Sequence, residues 1–457
     1  MDHDLIIIGG GAGGLSAARA ARWQGADVAL ISDGPLGGDC TFTGCVPSKT
    51  LIAAARDGLS FGEAMSRVAE AVERVAAGES SDVLRSEGVK VIEGRARLAT
   101  HDTVVVLSRR ITAPRIIIAT GSSPQVPQIP GIETVEALTN EDVFSISDAP
   151  ASLGVIGGGP SGCELAQAFA GLGVDVTLFE ARQRLLAAEE PAASEIVARV
   201  LRSAGVDVRL GVGVERVEPV GHTEGDRGSV RLVTPDGAHQ VERLLVAAGR
   251  VPNSAGMALE ELGVKLDDRG FVKANDRLET SVRGVFAVGD VTGKLLFTHA
   301  ADEMGRLAAG NALGKGLRGR FRTHWVPLTT FTTPEVARVG MIESEAAAHG
   351  GRVAELPLDE MDRAITDGAT EGFIKLIAGP RPVTRNAFGG RVLGATIVAP
   401  RAGEMIHEAA LAMRAGLFTG RLAQTAHAYP TWSYGIQKTA GQFFGDVEGR
   451  RARAAGT

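Results

Sequence analysis

Two cysteines five positions apart, Cys40 and Cys45, are the residues of this chain best suited to redox chemistry. They stand in the segment GGDCTFTGCVPSK. On a regular helix, positions five residues apart are separated by about 8.7 Å, whereas the Cα atoms of bridged cysteines lie within about 6.8 Å of each other. A disulfide between them therefore requires that the chain between them is not helical.

The residues around the pair favour such a loop, because glycine at Gly44 and the β-branched neighbours Thr41 and Thr43 are poor helix formers. Pro47 suits the first turn of a helix that follows. Cys45 then lies at a helix N-terminus, where the helix dipole lowers the pKa of a thiol. A metal site would need further Cys or His ligands nearby, and the sequence offers none at known spacings. A redox dithiol is favoured over two structural cysteines.

An internal repeat predicts the elements that position this pair. LIIIGGGAGGLSAARAARWQGADVALISD and LGVIGGGPSGCELAQAFAGLGVDVTLFEA have the same pattern at an offset of 148 residues, and each reads as strand, glycine turn, helix and strand. The spaced glycines are Gly9, Gly11 and Gly14 in the first copy and Gly157, Gly159 and Gly162 in the second. This spacing between strand and helix is typical of turns that bring a dinucleotide pyrophosphate to a helix N-terminus.

The second strand of such a unit should end in an acidic residue that holds ribose hydroxyls. Glu180 fits this role in the second copy and predicts a preference for NAD over NADP, which Arg182 and Arg184 could soften. In the first copy the strand VALIS is followed by Asp33, our candidate for the same role.

Three further apolar strands open into glycine turns, which let backbone approach a ligand closely. The turns contain Ala119, Thr120 and Gly121, then Gly249 and Arg250, then Gly289 and Asp290. Thr298 is a predicted N-cap of the next helix, whose positive end would face the same place. From about residue 324 the chain reads as a separate α+β unit without a nucleotide signature.

Length and charge limit the classes of function. A chain of 457 residues is long enough for two or three domains. With a net charge of −6 and interspersed charges, nucleic acid is not an expected partner. The acidic start MDHDLIII resembles no signal peptide and is too short for a membrane span, so we expect a cytoplasmic protein without membrane association.

The segment GGDCTFTGCVPSK resembles the redox-active signature of the pyridine nucleotide-disulfide oxidoreductases, the family of dihydrolipoamide dehydrogenase, glutathione reductase and mercuric reductase. The similarity continues through both glycine fingerprints and the stretches ATG, GRVPN, FAVGD and TTPEVARVG. It implies an α/β fold with two Rossmann-like domains and a C-terminal α+β dimerisation domain. The implied domains are FAD-binding (1–149 and 271–323), NAD(P)-binding (150–270) and dimerisation (324–457), in a homodimer.

The resemblance also implies roles for individual residues. Electrons from NAD(P)H, with NADH favoured, pass through FAD to a Cys40–Cys45 disulfide, in which Cys45 is the flavin-side sulfur and Cys40 the outer one. Lys49 resembles the lysine beside the flavin, and Glu164 its ion-pair partner. The implied FAD contacts are Gly9, Gly11, Gly14, Asp33, Lys49, Ala119, Thr120, Gly121, Gly289, Asp290 and Thr298. The implied NAD(P) contacts are Gly157, Gly159, Gly162, Glu180, Gly249 and Arg250. No resident metal is expected.

The pattern breaks near the C-terminus, in HAYPTWSYG. Enzymes of the family that act on disulfides or dithiols carry a His-Pro and a later Glu here, and that histidine moves the substrate proton. Tyr429 and Tyr434 occupy the two positions, and a phenol with an ordinary pKa near 10 is a poor base at neutral pH. His427 is a candidate substitute. Mercuric reductases are similar in using Tyr, but they also carry a C-terminal cysteine pair, and this chain ends in EGRRARAAGT.

We therefore expect an FAD-dependent oxidoreductase that passes electrons from NAD(P)H through the dithiol to a small acceptor, a soft metal ion or a small disulfide. Dihydrolipoamide dehydrogenase is the first alternative, and an NAD(P)H:quinone reductase that uses the flavin directly is the second. A redox-sensing flavoprotein with negligible turnover is the alternative outside catalysis. The acceptor, and any acid or base role of Tyr429 or His427, are left open by the sequence.

Overall fold

The computed structural model describes residues 1–221, 228–314, 318–381, 383 and 385–457, which form two compact units. Unit 1 contains Met1–Gln128, Glu136–Pro150 and Leu244–Thr323. Unit 2 contains Ile129–Val135, Ala151–Arg243 and His324–Thr457. The division into three domains by cofactor stays a prediction.

Helices and strands alternate through much of the chain. The helices are α1 (Ala12–Trp23), α2 (Gly38–Phe42), α3 (Cys45–Arg56), α4 (Phe61–Ala77), α5 (Ser81–Ser86), α6 (Pro160–Gly171), α7 (Pro191–Ser203), α8 (Thr298–Leu313), α9 (Glu343–Ala347), α10 (Asp362–Thr366), α11 (Ala402–Arg414), α12 (Thr419–Gln424) and α13 (Tyr434–Gly441). The strands are β1 (Leu5–Ile8), β2 (Val28–Ser32), β3 (Lys90–Glu93), β4 (Ala96–Thr100), β5 (Thr103–Val106), β6 (Arg109–Thr112), β7 (Ile116–Ile118), β8 (Ser122–Pro124), β9 (Ser152–Ile156), β10 (Asp175–Glu180), β11 (Asp207–Leu210), β12 (Arg216–Val220), β13 (Ser229–Thr234), β14 (Gly237–Val241), β15 (Arg243–Val246), β16 (Arg250–Pro252), β17 (Val285–Ala287), β18 (Leu328–Thr330), β19 (Glu335–Gly340), β20 (Arg352–Pro357), β21 (Phe373–Gly379), β22 (Arg391–Ala399) and β23 (Arg453–Ala454).

Unit 1 is built on a parallel sheet in the order β17-β7-β1-β2-β3. The strands LIII, VALIS and III are buried along their whole length, as expected for parallel strands covered on both faces. The strand, helix and strand predicted for residues 5–33 are β1, α1 and β2. An antiparallel sheet, β4-β5-β6, and the pair β8-β16 complete the unit.

Helices α1 and α8 cross at backbone contact distance in unit 1. A Cβ atom on Gly305 would lie 2.2 Å from the carbonyl oxygen of Gly13, so only glycine fits at this crossing. The hydroxyl of Ser16 also donates to the carbonyl oxygen of Asp302, at 2.9 Å. The start of α1 and the first two turns of α8 are therefore held together by direct backbone contact and by the Ser16 hydroxyl.

Unit 2 contains the second copy of the repeat. Strands β9, β10 and β11 pair in parallel, and α6 follows β9 as predicted. The C-terminal part forms an antiparallel sheet in the order β18-β19-β22-β21-β20-β23, with α11 and α13 against its apolar core. These observations confirm the predicted α/β fold with a C-terminal α+β segment. Among the described residues, no helix combines the length and the hydropathy that a membrane crossing needs.

A buried ion cluster joins the two parts of unit 2. Lys375 lies on β21 with its side chain 6% exposed, and its Nζ lies 2.8 Å from Glu343, 3.3 Å from Glu355 and 3.5 Å from Glu190. The N–H of Glu343 also donates to Glu190, at 2.7 Å. A buried lysine needs such partners because desolvation disfavours its charge.

Glu343 makes this cluster sensitive to acid. Burial opposes its ionisation, but hydrogen bonds from Arg453 and Lys375 outweigh burial and lower its pKa to about 2. Its pKa in the folded state is thus below the ordinary value of 4.5. The stabilisation it provides is present above that ordinary value and is lost as the pH falls towards the folded value.

We expect Lys375→Met to destabilise unit 2 by about 3 kcal/mol at pH 7, because it leaves buried carboxylates without their cation. Urea unfolding measures the effect. Arg199→Met is the matched control, since Arg199 pairs with Glu371 on the surface of the same unit and such pairs contribute less than about 1 kcal/mol. Equal unfolding midpoints for Lys375→Met and the wild type would show that the cluster does not stabilise the fold.

Candidate functional site

Cys40 and Cys45 lie on consecutive short helices in unit 1, and both are free thiols, the reduced form of the predicted pair. Cys45 is the first residue of α3, which confirms its predicted place at a helix N-terminus. The expectation of a non-helical segment was only partly correct, because Cys40 and Thr41 belong to α2 and the break is confined to Thr43 and Gly44. A Cβ atom on Gly44 would lie 2.8 Å from the carbonyl oxygen of Asp39, so glycine permits the sharp return between the helices.

The two sulfurs share a hydrogen-bond environment with Thr298. The Thr298 hydroxyl lies 3.2 Å from the Sγ of Cys45, and Cys40 hydrogen-bonds both Cys45 and Thr298. The hydrogen bond with Cys45, burial and the nearby charge of Glu79 raise the pKa of the Cys40 thiol, whereas the Thr298 hydroxyl opposes this rise. Together these effects favour the protonated form of Cys40.

Thr298 does not cap α8. The N-cap is Phe297, and Thr298 is the first helical residue. The predicted capping role is wrong because the hydroxyl is directed to Cys45 instead of to the helix backbone. The ring centroid of the next residue, His299, lies 5.6 Å from that of Phe297.

Cys163 takes no part in this pair. It is fully buried on α6 in unit 2, and its Sγ donates to the carbonyl oxygen of Gly158 at 3.4 Å. Burial raises the pKa of the Cys163 thiol, which keeps it protonated and unreactive. It is a small residue packed in the helix.

The first glycine turn is shaped by close contacts and leaves an open cradle. Gly9 has φ +112°, and a Cβ atom there would lie 2.2 Å from the carbonyl oxygen of Ala119. At Gly14 a Cβ atom would lie 1.9 Å from the carbonyl oxygen of Gly9. Gly11, the N-cap of α1, has no side-chain cap and has open space where a side chain would stand. The free N–H groups of the first turn fit the negative charge of a pyrophosphate.

The second turn repeats this geometry in unit 2. Gly157 has φ +113°, and Gly159 is the uncapped N-cap of α6 with open space beside it. Glu180 ends β10, and its two carboxylate oxygens accept the N–H groups of Gly158 at 2.7 Å and Arg182 at 2.8 Å. Arg184 donates instead to the carbonyl oxygens of Ala187 and Glu189.

The position equivalent to Glu180 in the first copy is Ser32 rather than Asp33, by the offset of 148 residues. Ser32 is the buried last residue of β2, and a Cβ atom on Gly10 would lie 2.8 Å from its Oγ. Asp33 is exposed and lies one residue beyond the strand end. The structure does not bring Asp33 to the glycine turn as Glu180 is brought to Gly158. The repeat offset was the signal that would have identified Ser32.

Arg250, which we predicted to contact NAD(P), forms hydrogen bonds with other residues of unit 1. Its Nη2 donates to Asp39 at 2.7 Å and to the carbonyl oxygen of Ser122 at 2.8 Å, and its Nε donates to the Ser122 hydroxyl at 2.6 Å. That hydroxyl donates to Asp290 at 2.7 Å. The guanidinium is thus held within unit 1, and its contact with NAD(P) stays a prediction. Gly249 precedes it with φ +125°.

The remaining predicted flavin residues of unit 1 form turns at strand ends. Thr120 and Asn253 exchange two hydrogen bonds, of 2.7 and 3.0 Å, and Gly121 has φ +72°. Gly289 and Asp290 open a 3-10 turn after β17. Burial raises the pKa of Asp290, against the opposing effects of Ser122 and Arg250.

Lys49 and Glu164 lie in different units. Lys49 is on α3, while Glu164 is buried on α6, where its Oε1 accepts the N–H of Phe331 at 2.7 Å. The ion pair between them stays a prediction.

The C-terminal candidates lie together in unit 2. Tyr429 is 64% exposed, donates to Asp362 at 2.8 Å and packs edge-on against Tyr434 at 5.6 Å. The hydrogen bond to Asp362 raises the pKa of Tyr429, so the phenol is a still weaker base than an ordinary tyrosine.

His427 is engaged at both ring nitrogens. Nδ1 lies 2.8 Å from the carbonyl oxygen of Thr425, and Nε2 lies 3.1 Å from the carboxylate of Glu408. Both partners only accept hydrogen bonds, so both ring nitrogens are directed to atoms of unit 2 itself. A base role for His427 stays a prediction.

Sequence reasoning missed the residues that surround Cys40. Asp39, Ser122 and Asn140 form a polar network with Arg250, and Glu79 accepts the Thr41 hydroxyl at 2.7 Å. The acid that directly precedes Cys40 was the available signal. No cluster of three or more His, Cys, Asp and Glu side chains that could hold a metal ion occurs in the part of the chain that the structure describes.

Comparisons with known proteins agree with this arrangement. Residues 3–305 match the family pyridine nucleotide-disulphide oxidoreductase, and residues 326–440 match the dimerisation domain of that family. A mercuric reductase from Staphylococcus aureus is 35% identical over 98% of this chain and 83% of its own. A dihydrolipoyl dehydrogenase from Thermus scotoductus is 34% identical over 96% of each chain.

Solved structures give the same result. The HOCl-induced flavoprotein disulfide reductase RclA from Escherichia coli has a TM-score of 0.84 and 30% identity, over 96% of this chain and 99% of its own. LpdA from Mycobacterium tuberculosis has a TM-score of 0.84 and 29% identity over the same shares. With two dinucleotide turns, a cysteine pair at a helix N-terminus and this similarity over nearly its whole length, the chain belongs to the pyridine nucleotide-disulphide oxidoreductase family and is an FAD-dependent enzyme that uses NAD(P)H.

Proposed function

We propose that this enzyme reduces a soft, thiophilic metal cation that binds to the thiols of Cys40 and Cys45. The observation that carries the proposal is the environment of Cys40, whose thiol pKa is raised by the hydrogen bond with Cys45, by burial and by the charge of Glu79. Attack on a neutral disulfide needs a Cys40 thiolate. A metal cation displaces the thiol proton itself, because the thiolate is the form that binds metal.

The two C-terminal candidates for a base, Tyr429 and His427, also support a metal cation as the substrate. Tyr429 stands where relatives that act on dithiols carry a histidine, and the hydrogen bond to Asp362 raises its pKa. His427 is held by Glu408 and Thr425. Tyr429 is therefore a poor proton acceptor for a thiol substrate, whereas a metal cation brings no proton to remove.

The similar proteins support this substrate class. Several of the relatives are named mercuric reductases, and one similar structure is titled a Cu(II) complex of RclA, with a TM-score of 0.84. Soft thiolate ligands favour such metals. One NAD(P)H gives up two electrons as a hydride and leaves as NAD(P)⁺. Two electrons reduce one Hg(II) to Hg(0), or two Cu(II) to two Cu(I).

We assign the FAD site to the first glycine turn, with Gly9, Gly11 and Gly14 at the pyrophosphate and Asp290 on the polar chain beyond it. Bound FAD supplies the two-electron exchange between nicotinamide and disulfide. The chain's own residues then hold the sulfurs together, since Gly44 permits the return of the chain and Thr298 orients both thiols. The α3 N-terminus stabilises negative charge on Cys45. Lys49 and Glu164 remain the proposed pair beside the flavin.

We assign NAD(P)H to the second turn, formed by Gly157, Gly159 and Gly162, with NADH favoured by Glu180. Each oxygen of Glu180 accepts one backbone N–H and retains a lone pair for a ribose hydroxyl. The extra phosphate of NADPH would meet this carboxylate, and Arg184 is already occupied by carbonyl oxygens.

We further propose a cytoplasmic homodimer. The family's dimerisation domain covers residues 326–440 and supports the dimer. A cysteine pair that must be reduced in each catalytic cycle suits a reducing compartment.

The decisive experiment follows anaerobic NADH oxidation with Hg(II), Cu(II), glutathione disulfide, lipoamide and menadione as separate acceptors. We expect metal-dependent turnover that falls at least about 100-fold in Cys40→Ser and Cys45→Ser. Cys163→Ala is the matched control and should keep the wild-type rate, because its sulfur is fully buried on α6 and hydrogen-bonds Gly158. Faster turnover with lipoamide than with either metal would favour a dihydrolipoyl dehydrogenase, and full menadione activity in both serine variants without metal turnover would favour a quinone reductase.

The assigned FAD site is tested by Gly11→Val. A Cβ atom on Gly11 would meet no protein atom within 4 Å, so we expect the fold to persist while the proposed pyrophosphate cradle is filled. We expect at least about tenfold weaker FAD retention, equivalent to about 1.4 kcal/mol, measured as the flavin absorbance per protein after dialysis. Gly62→Val, which is also in open space on α4, should keep its flavin. Wild-type retention in Gly11→Val would refute the assignment.

Coenzyme preference is tested by Glu180→Ala. We expect the NADPH to NADH ratio of kcat/KM to rise at least about tenfold, because the variant removes a like charge from the place of the extra phosphate. Glu195→Ala, an exposed acid on α7, is the control and should leave the ratio unchanged. A wild-type enzyme that already prefers NADPH would contradict the assignment of Glu180.

A further inference from the structure

A cavity of about 660 Å³ in unit 1 contains none of the residues of the cysteine pair or of the two glycine turns. Its walls come from the start of the chain, from the turn between β4 and β5, and from the segments that precede β7 and β17. The lining residues with titratable side chains are His101, Asp102, Arg115 and Arg283. Its volume lies within the range of about 300–1,000 Å³ that is typical of pockets for small molecules.

The cavity lies at the amino ends of two parallel strands. Arg115 directly precedes β7, and Arg283 lies two residues before β17. The turns proposed to contact FAD follow the carboxyl ends of the same strands, with Gly121 after β7 and Gly289 after β17. Since β7 has three residues, the two ends are separated by about 10 Å. The cavity and the proposed FAD site are therefore at opposite edges of one sheet.

Two guanidinium groups line this cavity. The Nε of Arg115 donates to the carbonyl oxygen of Ala312 at 3.2 Å, and its Nη1 donates to that of Pro114 at 2.7 Å. A guanidinium has five N–H groups, so Arg115 is held in place and still has donors for a ligand. Arg283 is exposed, and a Cβ atom on the next residue, Gly284, would lie 3.9 Å from the Nη1 of Arg115. Planar guanidinium groups match the oxygen atoms of a phosphate.

Asp102 is the acid among the described residues that line the cavity. Its Oδ1 accepts the hydroxyls of Thr100 at 2.6 Å and of Thr103 at 3.1 Å. These hydrogen bonds lower the pKa of Asp102, so that it carries a negative charge at neutral pH. Neither bond uses Oδ2, which has lone pairs to accept a hydroxyl of a ligand. Because two guanidinium groups face one carboxylate, the cavity favours an anion.

The rest of the wall is partly apolar. The side chains of Pro114, Leu262 and Val282 line the cavity, and none of the three is buried. Covering these side chains with a flat ring would remove apolar surface from water. The cavity thus combines donors for a phosphate, an acceptor for a hydroxyl group and apolar surface for a ring.

We propose that this cavity binds a nucleoside monophosphate, separately from both dinucleotide sites. Arg115 and Arg283 hold the phosphate, Asp102 accepts a ribose hydroxyl, and the apolar side chains cover the base. Free phosphate would leave the apolar wall uncovered, and a nucleoside without phosphate would leave the guanidinium groups without an anion. The proposal does not depend on the electron acceptor of the enzyme, so the proposed function can fail while this one holds.

The test is isothermal titration calorimetry of uridine 5′-monophosphate with the FAD-loaded enzyme and saturating NAD⁺. The probe lacks adenine, and both dinucleotide sites are occupied under these conditions. We expect saturable binding with a Kd below about 1 mM. Uridine should bind at least about tenfold more weakly, because it lacks the phosphate. Ribose 5-phosphate should bind at least about threefold more weakly, because it lacks the base that covers apolar surface.

Arg115→Met and Arg283→Met should each weaken binding of the probe at least about tenfold, because each removes hydrogen bonds to a charged group. Arg110→Met is the matched control and should bind as the wild type does, since Arg110 is exposed on β6 of the same unit and does not line the cavity. If Arg115→Met does not fold, because it loses its bond to Ala312, the affinity of Arg283→Met decides.

Three results would overturn the proposal. The first is the absence of saturable binding up to about 10 mM probe, which is too weak for a built site. The second is an affinity for uridine or for ribose 5-phosphate equal to that for the probe. The third is wild-type affinity in both Arg115→Met and Arg283→Met.

Discussion

The chemistry of this enzyme depends on one short interruption between two helices. If the chain from Cys40 to Cys45 continued as a single helix, the sulfurs would lie too far apart to bond. The break at Thr43 and Gly44 brings them into hydrogen-bonding contact and leaves Cys45 at the start of α3. Their unequal surroundings follow from this break, because one sulfur gains a helix N-terminus and the other lies beside acids.

This asymmetry separates two tasks that a symmetrical pair could not perform. A sulfur that readily carries negative charge is suited to exchange electrons with the oxidised flavin. Under the proposed function, the protonated outer sulfur reacts with a metal cation that displaces its proton. The tyrosines at positions 429 and 434 fit the same division, since they provide polar contacts without strong basicity. Under the proposed function, the residues that receive electrons from NAD(P)H are typical of the family, and those that face the acceptor are specialised.

Local patterns were sufficient for the fold and for part of the site. The two glycine fingerprints and the helix start at Cys45 could be read from residues that are close together in sequence. Arg250 could not be placed in this way, because Asp39 is 211 residues away and Ser122 is 128 residues away in sequence. Thr298 was misjudged for a related reason. A rule for helix capping considers only neighbours in sequence. The hydroxyl of Thr298 is instead directed to the sulfur of Cys45, which is 253 residues away in sequence.

Ser32 shows a different limit. The search for an acid after β2 selected Asp33, although the repeat itself pointed to the residue before it. Two copies of one unit need not keep the same side chain at an equivalent position when they bind different dinucleotides. The position of a residue within the repeat therefore identifies the equivalent of Glu180 better than the acidic nature of its side chain does.

The glycine crossing of α1 and α8 has a mechanical consequence. In the proposed FAD site, the first turn of α1 faces the pyrophosphate, and the first residue of α8 supplies the hydroxyl beside Cys45. Because Gly13 and Gly305 are in backbone contact, the distance between these two points is set by the protein and not by what it binds. Under this assignment, a bound dinucleotide has to match a fixed distance between the glycine turn and the sulfurs.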